Sequence, residues 1–187
     1  MMQQLYIKNM VCDRCKTSVK QVLEALHVPV HAVHLGQVYV EQINPNTYAL
    51  LDERLNALGF ELIADEDDVL IEQIKTLLIK NLEAKTPLHL KTSDMLTQSI
   101  PKTYSVLSKL FSKRMGITIE KYVIQLKIEK VKEYLQLGQL QFSEIADSLG
   151  YTSSSHLANQ FKSVTGMSMS DYKALEDWDR KTIDKII

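Results

Sequence analysis

The segment LSKLFSKRMGITIEKY (107–122) lies over LANQFKSVTGMSMSDY (157–172) at an offset of fifty residues. Leu107/Leu157, Phe111/Phe161, Gly116/Gly166, Ile117/Met167, Ile119/Met169 and Tyr122/Tyr172 coincide in type. No other feature constrains the fold as much, because a pattern written twice has to fold twice. Apolar residues four apart mark one face of a helix, and the glycine that ends each run tolerates a left-handed turn. Two similar helical sub-domains follow. The segment TIEKYVIQLKIEKVKEYLQLG between them reads as a long helix, capped by Thr118 and ended near Gly138. It is apolar on more than one face, as a helix packed against both halves would be.

Helices are expected at 69–84, 93–99, 103–115, 118–137, 143–149 and 153–165, with a last piece after Ser170. The stretch FSEIADSLGYTSSSHLANQFKSVTG has the form of a helix-turn-helix. Ser143 is the expected N-cap, and Ile145, Ala146 and Leu149 form the buried face of the first helix. Gly150 makes the turn, and Leu157, Phe161 and Val164 anchor the second helix. The opposite face offers Ser154, Ser155, His156, Asn159 and Lys162, short polar groups suited to base edges and phosphates. By the repeat, the earlier helix offers Tyr104, Ser105, Ser108 and Lys109, with Lys102 and Lys113 near phosphates.

The first 65 residues read differently, as βαββαβ. QQLYIKNM alternates Leu5 and Ile7 with polar residues, and Val38 and Val40 alternate after the Leu35-Gly36 turn. Val19, Val22, Leu23 and Leu26 recur at helical spacing. So do Leu51, Leu55 and Leu58, stopped by Gly59. The order is that of a ferredoxin-like domain, one sheet under two helices. The acidic run 65–68 suits the positive end of the next helix and marks the boundary. Residues 1–68 carry 5 basic and 10 acidic residues (net −5), and 69–187 carry 17 and 13 (net +4). The expected domains are therefore 1–68, α+β; 69–175, all-α with helix-turn-helix units at about 93–115 and 143–165; and a tail, 176–187. The apolar residues of helix 69–84 (Leu70, Ile74, Leu77, Leu78) could pack inside the helical domain or pair two chains.

Both cysteines lie in NMVCDRC, between the first strand and first helix. With no apolar signal segment ahead of them, they point to a reducing cytoplasm. A helix start favours thiolate at Cys15, and two thiolates two residues apart can converge on one soft ion. A redox pair, a zinc site completed by His27, His31 or His34, and a domain kept only for dimerisation remain alternatives. His31 and His34 would point to opposite faces of one strand, and His27 reads as a surface or capping residue. No Ser/His/Asp set, phosphate loop or carboxylate pair suggests an enzyme.

Residues 69–175 resemble the DNA-binding domain of the AraC/XylS family of bacterial transcription regulators, two helix-turn-helix units joined by a long helix. The Ser-Glu-Ile-Ala start, Leu-Gly-Tyr turn, Gln-Phe-Lys and Thr-Gly-Met carry the likeness. It implies Ser105, Ser108, Lys109, Ser154, Ser155, His156 and Asn159 as base readers. Thr97 stands where that family usually has Ala, and Asn159 where Arg is common. The two recognition helices would enter successive major grooves, roughly 34 Å apart.

Residues 3–65 resemble the heavy-metal-associated domain of copper chaperones and metal-transporting ATPases, through NMVCDRC, VKQVLEAL, LGQVYVE and LNALGFE. That likeness implies Cys12 and Cys15 as metal ligands, with Met10 and Phe60 supporting the loop. Asn9 departs from the usual Gly before the Met. The fusion is similar to a bacterial metalloregulator. The implied cofactor is a soft metal ion, Cu(I) first, with Zn(II), Cd(II) and Ag(I) as others. Double-stranded promoter DNA is the expected partner, RNA polymerase and a second copy are further candidates, and a membrane is not. A metallochaperone or thiol redox module tethered to DNA is the rival reading.

Overall fold

The computed structural model describes residues 1–84, 91–175, 177–182 and 186. The expected tail, 176–187, thus falls partly outside the described residues. The chain divides into two compact units, residues 1–79 with 93–110 and residues 80–92 with 111–187.

The first unit opens with β1 (Met2–Lys8), α1 (Asp13–Ala25), β2 (Val30–His34), β3 (Gln37–Glu41), α2 (Pro45–Ala57) and β4 (Glu61–Ile63). The strands form one sheet in the order β2-β3-β1-β4, antiparallel at every pairing. Leu5 registers with Val38 and Ile7 with Leu62, so the apolar residues of each strand share a face. Under that face Leu5, Ile7, Val38 and Val40 form a core with Val19 and Leu23 of α1 and Leu51 and Leu55 of α2. Leu58 does not join them. The helix stops at Ala57, Leu58 is its C-cap, and the side chain is 53% exposed. Phe60, past the left-handed Gly59, is buried instead.

Helix α3 (Glu66–Glu83) begins earlier than the apolar pattern indicates. The Asp65 carboxylate accepts the Asp68 N–H at 3.0 Å, so the acidic run caps the helix and enters it. Ile74 and Leu78 are buried within the single chain, whereas Leu70 and Leu77 are half-buried. Glu72 and Lys75 are buried as an ion pair of 2.8 Å.

Then come α4 (Thr92–Ser99), α5 (Tyr104–Met115), α6 (Ile119–Leu137), α7 (Phe142–Ser148), α8 (Ser154–Thr165) and α9 (Met169–Lys173). Thr118 Oγ1 accepts the Lys121 N–H at 3.2 Å, and Gly138 ends α6 at φ 65°. Ile128, Val131 and Leu135 of α6 share one core with Ile145, Ala146, Leu157, Phe161 and Tyr172. Helix α7 is capped two residues earlier than Ser143, at Gln141. Phe142 is its first residue, and Glu144 takes the Gln141 N–H at 2.6 Å in a capping box. Along α6, buried Glu129 and Lys132 pair at 2.8 Å. They also tie down the following segment: Lys132 donates to Asp179 O at 2.7 Å, and Lys181 N donates to Glu129 at 2.9 Å.

Candidate nucleic-acid interface and thiol site

The fifty-residue offset governs three dimensions as well as sequence, and over a longer span than the apolar pattern shows. Helix starts fall at Thr92 and Phe142, Tyr104 and Ser154, Ile119 and Met169. Leu107 and Leu157 are fully buried, as are Phe111 and Phe161. Phe111 meets Tyr122 at 5.5 Å between ring centroids, and Phe161 meets Tyr172 at 5.4 Å. Gly116 and Gly166 both adopt positive φ (71° and 83°). Thr118 and Ser168 cap the helices that follow.

In this register the buried small residue Ala146 corresponds to Leu96, and Thr97 corresponds to Asp147. Thr97 is an exposed residue whose hydroxyl donates to Ser93 O at 2.9 Å. The departure at Thr97 therefore leaves the packing of α4 untouched. The residue that differs inside the first copy is Leu96, fully buried.

On α8, Ser154, Ser155, His156, Asn159 and Lys162 are all exposed. Val164, expected inside, is 47% exposed, although at i+7 from Leu157 it lies along the same helical stripe. Ser153 caps the helix by accepting the His156 N–H at 3.1 Å. His156 is oriented from two sides: Nδ1 lies 3.2 Å from Thr152 Oγ1, and the ring stands edge-on to Tyr151 at 5.4 Å. Tyr151 in turn donates to Gln160 at 2.6 Å and lies under the Lys127 ammonium, 4.9 Å from its ring centre. Burial pushes the Tyr151 hydroxyl up to about 12 and lowers Lys127. The sequence gives no periodic signal for this Lys127–Tyr151–His156 stack. On α5, Ser105 and Lys109 are exposed and Ser108 half-buried, with Tyr104 half-buried and Lys102 and Lys113 exposed.

The thiol loop is built by its flanks. Asn9 holds φ 70°, the left-handed region that Asn enters more readily than most residues, so it can stand where glycine would. Its amide donates to Gly59 O at 2.9 Å, tying the loop to the turn before Phe60. Met10 is 2% and Phe60 7% exposed, in the core against which Cys15 packs. Cys12 is the N-cap of α1 and Cys15 its third residue. Their sulfurs lie 3.4 Å apart, and both are free, partly exposed thiols.

The helix start does not win at Cys15. Burial first, and then the Cys12 thiol beside it, push its pKa above the ordinary value. Among the described residues no group of three or more His, Cys, Asp or Glu could hold a metal ion. His27, His31 and His34 therefore do not complete a site with the thiols. His27 is an exposed residue at φ 56° just past α1, and His34 stands edge-on to Tyr39 at 6.1 Å. A register shift between Val30 and Ala32 interrupts the alternation expected for His31 and His34. The two thiols fit an ion content with two soft protein ligands.

No described helix is long and apolar enough to cross a membrane. Residues 98–174 match the family model described as "Helix-turn-helix domain". The chain is similar to the HTH-type transcriptional activator RhaR of Salmonella dublin, 28% identical over 117 residues, covering 63% of this chain and 40% of that protein. It is also similar to the Msm operon regulatory protein of Streptococcus mutans serotype c, 29% identical over 69 residues, or 37% of this chain and 25% of that one. The chain thus spans two fifths or less of the length of these relatives. Among solved structures, it is similar to the xylose-binding transcription activator xylR (TM-score 0.46, 17% identity, covering 87% of this chain and 51% of that chain). A second is the transcriptional regulator CdpR from Pseudomonas aeruginosa (TM-score 0.43, 16% identity, 91% and 55%).

Proposed function

We propose that this chain, whose residues 98–174 carry a helix-turn-helix domain of AraC type, is a transcription regulator that binds duplex promoter DNA and answers to a soft metal ion. The duplicated helical unit carries the first half of that reading. Each copy buries the same Leu, Phe and Tyr and presents a helix with an exposed polar face. Ser105, Ser108 and Lys109 on α5, and Ser154, Ser155, His156 and Asn159 on α8, are the proposed base readers. Lys102, Lys113 and Lys162 are the proposed phosphate contacts.

The second half rests on Cys12 and Cys15, 3.4 Å apart on a loop that Asn9 ties to Gly59 O. Their thiolates would hold the ion, Cu(I) before Ag(I), Cd(II) or Zn(II). Cys12 and Cys15 would hold such an ion, which would supply a positive charge and a cross-link that the two free thiols lack. Met10 and Asn9 hold the loop in place for it. The βαββαβ order and β2-β3-β1-β4 sheet support a ferredoxin-like scaffold for such a loop. The ion shifts DNA binding only through different affinity for the two states.

A DNA-affinity titration of the reduced, anaerobic protein with and without each metal tests the reading. Metal-dependent affinity that Cys12→Ser and Cys15→Ser abolish is the expected result; identical affinity throughout sinks the metal half. Loss of DNA binding in every state sinks the other. Because Cys15 must lose a proton whose pKa is raised, metal uptake should release protons and tighten as pH rises toward and beyond the ordinary thiol range.

A further inference from the structure

We propose that Val106 is a base-reading residue, and that it recognises the C5 methyl group of thymine. The inference rests on the DNA-binding reading above. Val106 is 49% exposed, in the first turn of α5. The fifty-residue offset places it at the register position of His156, in the first turn of α8. Recognition helices meet base edges with their N-terminal residues, so this position is a reading position in both copies.

Its surroundings on α5 argue against an incidental surface valine. Val106, Lys109 and Lys113 follow at spacings of three and four, one stripe along α5, with Lys102 in the turn just before the helix, and all four are exposed. One apolar side chain stands in a cationic row. The valine is about half exposed, whereas Leu107 and Phe111 of the same helix are fully buried. Lys102 and Lys113 can neutralise phosphates on either flank of a groove, which leaves Val106 and Lys109 between them facing base edges. A valine has neither donor nor acceptor, and in the major groove the one apolar feature among base edges is the thymine methyl. His156, with Nδ1 engaged by Thr152, reads by hydrogen bonding. The two copies would therefore recognise chemically different bases from one geometric position.

The test uses the full chain and a duplex selected from a randomised library for tight binding. Each thymine is replaced in turn by deoxyuridine, which deletes only the methyl group. Wild type should lose about fourfold in affinity at one or two positions, the worth of burying a single methyl group. Val106→Ala should bind the thymine duplex about as weakly as wild type binds that uracil duplex, and should ignore the replacement. Val106→Thr, similar in shape, should keep part of the methyl effect. Methyl deletions that affect wild type and Val106→Ala equally, or affect neither, overturn the assignment while leaving DNA binding intact. No selectable duplex at all overturns the DNA-binding reading, and this inference with it.

Discussion

The two copies of the helical unit share their inside and differ on their outside. Leu107/Leu157, Phe111/Phe161 and Tyr122/Tyr172 are buried alike, and Thr118 and Ser168 cap alike. The exposed register positions have diverged: Val106 against His156, Lys109 against Asn159, Lys102 against Thr152. The turns differ too, with buried Ile100 and exposed Pro101 in the first copy and Gly150 at φ 69° with Tyr151 in the second. Packing constrains volume and shape to within a methylene, whereas a solvated helix face is free to change its chemistry. A duplicated frame with two different faces is what a reader of an asymmetric site requires.

The comparison breaks first at the phenylalanines. Phe111→Ala and Phe161→Ala should each cost about 3–5 kcal/mol, read by urea unfolding, since each leaves a cavity against a tyrosine ring. A small loss in either copy would mean that the cores are not equivalent. Next, the turns should respond for opposite reasons. Ile100→Ala removes core volume and should cost roughly 2–4 kcal/mol. Gly150→Ala meets no atom within 4 Å, so its loss of about 1–2 kcal/mol comes from the left-handed backbone alone. Smaller again, Thr118→Ala and Ser168→Ala should each cost about 1 kcal/mol through a lost cap, matched between copies.

The smallest effect is confined to the second copy. Tyr151 has its pKa raised to about 12, so the fold favours its neutral form. That stabilisation is complete below the ordinary value near 10 and is lost as pH rises from about 10 through 12. Hydrogen exchange should show α7 and α8 opening in that window in wild type and less so in Tyr151→Phe. Equal opening of both proteins would remove the Tyr151 stack from the account.

Much of this was legible in the residues. Apolar spacing points to most of the described helices and strands, because it reports directly which face is buried, whereas the short β4 and α9 carry no periodic signal of their own. Ends were less legible. Helix α2 starts at Pro45, where Asn44 Oδ1 accepts the Thr47 N–H at 2.9 Å, and α7 starts with Gln141 and Glu144. Caps are set by single hydrogen bonds that leave no periodic trace. The register around Thr97 is hard to read in the residues for a related reason. The turn residues of the first copy, Ile100 and Pro101, do not resemble Gly150 and Tyr151, so the likeness fades there before the geometry does. A valine such as Val106 carries no chemical signal until its exposure is known. At Cys15 proximity to a helix start was visible and burial was not, and burial decides the direction.

The proposed DNA binding requires two readers in one chain. A hydroxyl-radical footprint of the full protein on a selected duplex should show two protected patches roughly 34 Å apart, one helical turn of DNA. Lys109→Ala should erase one patch and Asn159→Ala the other. A single patch, or both patches fading together in either variant, would contradict it.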